Sequence, residues 1–64
     1  MQHYYVEKQE KANGAHEIHV PRCTYLPEAD DRIYLGTFTN CADALRAAQT
    51  HYDKAASCRW CCKE

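Results

Sequence analysis

Asn40-Cys41-Ala42-Asp43-Ala44-Leu45-Arg46-Ala47-Ala48-Gln49-Thr50-His51-Tyr52 is the stretch that decides the fold class. Cys41, Leu45, Ala48 and Tyr52 recur at i, i+4, i+7 and i+11, one stripe of an amphipathic helix. Ala44 and Ala55 widen that stripe, whereas Arg46, Gln49, Asp53 and Lys54 fall mostly off it and face water. Asn40 is a good N-cap, and Asp43 at the third helical position suits both the cap and the helix dipole. The pattern predicts a helix from residue 41 to about residue 56, and its small alanines let it lie close to a sheet.

Working back from the helix, residues 33–38 alternate and read as a strand, with Gly36 inside it at a bulge or a close approach. Residues 3–8 and 16–20 read as two further strands, the second closed by Pro21. Residues 9–15 between them are polar and hold the turn dipeptide Asn13-Gly14. A two-residue hairpin turn there would set Ile18 opposite Gln9, which pairs apolar with polar on one face. A longer loop that sets Val6 opposite Ile18 and Tyr4 opposite Val20 serves the core better, and it places Glu7 against Glu17. Residues 23–26 are irregular, residues 27–32 form an acidic turn, and residues 57–64 form a cysteine-rich turn. The fold class is α+β: a small antiparallel three-stranded sheet, one C-terminal helix packed on it, and a cysteine-rich C-terminal turn.

At 64 residues the chain is one domain, residues 1–64, and so short a domain is stabilised only marginally by burial. Its large aliphatic side chains are Val6, Ile18, Val20, Leu26, Ile33, Leu35 and Leu45. Much of the remaining apolar fraction is alanine and cysteine, which bury little area. A thin core of this kind calls for a staple such as a metal, disulfides or a partner chain.

Eight basic and nine acidic side chains give a formal charge of −1, without the basic excess of nucleic-acid binders. No nucleic-acid partner is expected, and a protein partner is. No charge run marks a membrane patch, no signal-peptide pattern opens the chain, and no apolar run is long enough for a span. The expected setting is the cytoplasm, away from membranes. In a reducing compartment, clustered cysteines read as metal ligands or redox groups before disulfides.

Two spacings carry that chemistry. His19-Val-Pro-Arg-Cys23 is an H-x3-C pair leaving a strand, and Cys58-Arg-Trp-Cys61 is a C-x2-C pair after the helix. Zinc takes four tetrahedral ligands from imidazole nitrogen and thiolate sulfur, and two pairs from separate halves of the chain would tie sheet to helix end. The expected set is His19, Cys23, Cys58 and Cys61, with Cys62 as the alternate to Cys61, around a structural zinc. The competing readings are reduced, partly buried thiols with His19 an ordinary strand residue, or a labile disulfide.

Other residues read plainly. His16-Glu-Ile-His19 matches a metalloprotease signature only in letters, since that motif needs its histidines at i and i+4 on a helix. Cys41 sits at a helix N-terminus, where a thiol can become reactive, but its place on the apolar stripe favours a small core residue. Trp60 covers the metal or meets a partner. Asp30-Asp31 is a solvated turn, Ser57 has no triad context, and His3 and His51 belong to the surface. No acid, base and nucleophile converge, so no catalytic residue is assigned and an enzyme is not expected.

Taken together, His16-Glu-Ile-His19, Cys23-Thr-Tyr-Leu26-Pro27, Tyr34-Leu35-Gly36-Thr-Phe38, Cys41-x2-Ala44 and Cys58-x2-Cys61-Cys62 resemble a group of small bacterial proteins of unknown function. The resemblance implies a bacterial source and a shared fold, and no activity. A weaker similarity is to the single-zinc modules of adaptive-response DNA repair proteins, which use C-x3-C and C-x2-C. Their first cysteine accepts a methyl group from DNA; His19 stands at the matching position, so that reaction is not expected. The function expected is a non-catalytic interaction module held by structural zinc. The alternative is a thiol-based metal-handling or redox protein working through Cys58, Cys61 and Cys62.

Overall fold

Alternation along the strands gives the sheet two covered faces, and the two faces have different chemistry. The computed structural model describes residues 1–58. In chain order it contains β1 (Gln2–Glu7), β2 (His16–His19), a short 3-10 turn (Ala29–Asp31), β3 (Arg32–Phe38), α1 (Cys41–Ala48) and β4 (Ala55–Ser57). The strands lie in the order β3-β1-β2-β4. β1 is antiparallel to both β2 and β3, and β4 runs parallel to β2.

The β1–β2 register sets Val6 opposite Ile18, as the long-loop pairing requires. Residues 8–15 close that loop through bonds from Lys11 N to Ala15 O and from Gly14 N to Lys11 O, both 2.8 Å. Asn13 Oδ1 accepts from Ala15 N at 3.0 Å, and Gly14 takes a φ of 82°. On the other side, β1 pairs Tyr4 with Gly36 but Tyr5 with Tyr34. Leu35 is therefore the extra residue of a bulge, and Gly36 beside it has a φ of 117°, which favours a residue without a Cβ.

One face of the sheet carries Tyr4, Val6, Ile18 and Val20, packed with Cys41, Ala44 and Ala48 of α1. Burying a valine or isoleucine side chain contributes about 1.5–3 kcal/mol, and Ala44 and Ala48 bury completely because they let the helix approach. Asn40 caps α1 as expected, its side-chain oxygen accepting from Asp43 N at 2.9 Å. The opposite face carries Tyr5, Glu7 and His19 by the same alternation. Residues 20–28 run toward it: Arg32 donates to the Pro27 carbonyl at 3.0 Å and stacks its guanidinium over the Tyr5 ring at 4.6 Å.

Two expectations need correction. The helix ends at Ala48 instead of about residue 56, and the sheet is four-stranded and mixed instead of three-stranded and antiparallel. Thr50, a β-branched residue, turns its hydroxyl onto Ala47 O at 2.7 Å. The backbone N–H groups of Thr50 and His51 bond three residues back, to Ala47 and Ala48, which tightens the last turn and stops the helix. The chain then reverses, and Tyr52 stacks on His16 with ring centroids 3.7 Å apart. Ala55–Ser57 fills the open edge of β2, where backbone groups would otherwise be unpaired. The helix is thus internal to the fold, with a strand after it. The expected turn of residues 57–64 is described only as far as Cys58. No helix among the described residues is long and apolar enough to cross a membrane.

Candidate metal centre

Parallel pairing of β2 and β4 brings the centre together. Because Ile18 is the register partner of Ser57, the next residues, His19 and Cys58, leave the same end of the sheet side by side. Cys58 N bonds to Ile18 O at 3.2 Å, which fixes the cysteine backbone against β2. Cys23 arrives by a tight turn. Val20-Pro21-Arg22-Cys23 is closed by Cys23 N bonding to Val20 O at 3.0 Å, with Pro21 at the position whose fixed φ favours such turns. A second turn follows, Leu26 N to Cys23 O at 3.1 Å. The H-x3-C spacing therefore works by folding Cys23 back over the residue that ends β2.

The side chains converge accordingly. Cys23 Sγ lies 3.5 Å from His19 Nδ1 and 3.9 Å from Cys58 Sγ. The ligand atoms of all three residues fall within 4.8 Å of one another, a group that could hold a metal ion. His19 is 0% exposed and Cys58 1%, whereas Cys23 is partly open to solvent. Both thiols are free.

The far nitrogen of the same imidazole is held as well. His19 Nε2 lies 2.5 Å from Glu7 Oε2, and Lys11 Nζ reaches the same oxygen at 3.3 Å. A carboxylate oxygen accepts, so this contact suits the tautomer with its hydrogen on Nε2, in which Nδ1 is the nitrogen that can ligate a metal beside the sulfurs. Glu17 stands close by, forming with Glu7 and His19 a second group of potential ligand atoms within 4.8 Å of one another.

No family model matches this chain, and no curated protein or solved structure is similar to it. The donor atoms and their surroundings are what bear on its chemistry.

Of the four ligands expected from sequence, His19, Cys23 and Cys58 come together, and Cys61 lies outside the described residues, as do Cys62 and Trp60. Cys41 packs in the core on the helix face, its sulfur 3.7 Å from the Tyr4 hydroxyl, and takes no part in the group. His16 points elsewhere, with Nδ1 3.0 Å from Glu7 O. His3 and His51 are exposed as expected, His3 joined to the Tyr34 hydroxyl at 2.8 Å. Glu7 is the participant that spacing rules missed. Its signal was present in the register: with Val6 opposite Ile18, Glu7 falls beside Glu17, and alternation puts His19 on the face they share.

Proposed function

We propose that this chain is a small non-catalytic binding module whose thin core is clamped by one structural zinc ion. The ligands are His19 Nδ1, Cys23 Sγ and Cys58 Sγ, with Cys61, or Cys62 in its place, as the fourth. The observation that carries the reading is the pair of distances around Cys23. Zinc bonds of about 2.0–2.1 Å to imidazole nitrogen and about 2.3 Å to sulfur give tetrahedral edges of roughly 3.6 Å for N to S and 3.8 Å for S to S. The separations in the structure are 3.5 and 3.9 Å. Glu7 supplies the outer carboxylate that zinc-bound histidines characteristically engage through their second nitrogen.

The module works in the cytoplasm through its surface, on a protein partner, and its near-neutral charge gives no support for nucleic acid. Burial of His19 and Cys58 favours a closed structural site over the metal-handling alternative, which needs accessible sulfurs that exchange their ion.

The line Cys23–His19–Glu7 also resembles a thiol nucleophile, its base and an orienting carboxylate. Two observations favour the metal reading. The base is wholly buried, where no incoming water or leaving group reaches it, and a second thiol stands 3.9 Å from the first.

Native mass spectrometry of the reduced chain, with thermal unfolding before and after chelation, tests the proposal. One zinc per chain, and loss of the folded state when it is stripped, is the expected result. A metal-free chain melting at the same temperature with or without zinc would overturn it.

A further inference from the structure

Cys23 and Cys58 are 35 residues apart in the chain, yet their sulfurs lie 3.9 Å apart. The two differ in access: Cys23 is partly open to solvent, and Cys58 is 1% exposed. Such a pair matches what redox-responsive thiols require, one sulfur that an oxidant reaches and a second, shielded one beside it to resolve the first product. The segments carrying them also differ in kind. Cys58 follows directly on β4 and is bonded to β2, while Cys23 sits where one tight turn ends and the next begins. A disulfide needs the sulfurs about 2.0 Å apart, so closure asks for an approach of roughly 2 Å.

We propose that Cys23 and Cys58 form a reversible disulfide in response to hydroperoxides, and that closure withdraws both sulfurs from the metal centre. The first half stands on the thiol geometry alone; the loss of metal rests on the zinc reading above. In the first step Cys23 Sγ attacks the distal peroxide oxygen. An S–O bond forms, the O–O bond breaks, and the alcohol or water leaves with the thiol proton, giving a sulfenic acid. In the second step Cys58 Sγ attacks Cys23 Sγ. The S–S bond forms, the S–O bond breaks, and the hydroxyl leaves as water with the proton of Cys58. The two sulfurs lose two electrons and the peroxide gains them. When both sulfurs start as zinc thiolates, the two protons come from solvent and the ion is released. A thiol reductant reverses the change by exchange.

Trypsin makes the test direct, because cleavage after Arg22, Arg32, Arg46, Lys54 and Arg59 puts Cys23 on residues 23–32, Cys41 on 33–46 and Cys58 on 55–59. The full chain is reduced, stripped of metal, treated with stoichiometric hydrogen peroxide, alkylated and digested. The expected result is loss of alkylated 23–32 and 55–59 together, and gain of one cross-linked species containing both, abolished by dithiothreitol. Recovery of both peptides alkylated, Cys23 as sulfinic acid, or Cys58 linked to a different cysteine would each overturn the proposal. In Cys58→Ser, Cys23 should halt at the sulfenic acid and be captured by a 1,3-dione; no capture where the wild type cross-links would overturn the order of steps. A parallel sample loaded with zinc is followed with a chromophoric chelator, and zinc should be released in step with the cross-link. Cross-linking without release sinks the metal half. A chain that cross-links but never binds zinc leaves the disulfide standing and removes the structural-zinc reading, so the two failures are told apart.

Discussion

Glu7 and His19 meet across β1 and β2, the carboxylate Oε2 2.5 Å from the ring Nε2, while the other nitrogen of that ring faces Cys23 at 3.5 Å. One imidazole therefore joins a buried carboxylate to a pair of thiols. Glu7→Gln keeps the size of the side chain and removes its charge, which lowers the basicity of His19 toward a metal. Zinc affinity should fall about 10-fold, and in Glu7→Ala about 100-fold, the range found when outer partners of metal ligands are lost. Competition against a chromophoric chelator measures it, and unchanged affinity in both variants would detach Glu7 from the site.

Glu7→Ala also takes from the fully buried His19 ring the carboxylate that meets Nε2. An unsatisfied buried donor costs about 1–3 kcal/mol. The Glu7→Ala chain should be less stable than wild type by that amount even without metal, as read by urea unfolding in a chelator. Equal stability would mean that water replaces the carboxylate.

Zinc should raise the melting temperature in a concentration-dependent way. At free zinc 100 times the dissociation constant, a ligand that binds only the folded chain adds about 2.7 kcal/mol. For a domain of this size that corresponds to a rise of more than about 10 °C. Differential scanning fluorimetry across a zinc series checks this, and a flat series would argue against a structural ion.

Asn40→Ala should destabilise the chain by about 0.5–2 kcal/mol, because Asp43 N loses its side-chain acceptor at the start of α1. The intrinsic zinc affinity of the folded chain should be unchanged, since α1 contributes no atom to the His19–Cys23–Cys58 group. Reduced affinity would mean that the helix positions the site.

Gly36→Ala should cost about 1–3 kcal/mol through backbone strain at a φ of 117°. Among the described residues crowding is not the cause, because there an added Cβ would meet only the Phe38 ring, at 3.8 Å. Chemical denaturation reads the loss, and wild-type stability would show that the bulge relaxes to a conformation alanine accepts.

How much of this was legible in the sequence divides by the range of the forces involved. Asn40 and Asp43 declare a helix start within four residues, and the Val6–Ile18 register follows from matching apolar partners across one turn. The end of α1 was not legible from periodicity, because Tyr52 falls on the helical stripe at i+11 although it stacks on His16 instead. β4 was hidden for a related reason: Ala55 and Ala56 favour a helix locally, and only the open edge of β2 makes a strand of them. His19 and Cys23 were readable as a pair through their turn spacing, whereas their meeting with Cys58 needed β4. Glu7 read as a blemish in the strand register, opposite another acid, until the ring of His19 gave it a partner.

The parallel seam between β2 and β4 has a consequence for the timing of maturation. A chain made from its N-terminus completes β1, β2, β3 and α1 before Cys58 exists, so the His19–Cys23–Cys58 group cannot be assembled piecemeal during synthesis. Until then that group consists of His19 and Cys23 alone, and the proposed zinc would lack at least two of its four ligands. Joining residue 19 to residue 58 is also a long-range closure whose entropic cost falls due late and at once. On the zinc proposal, metal capture would act as a checkpoint on chains that have reached β4: a product lacking that strand would not acquire the clamp.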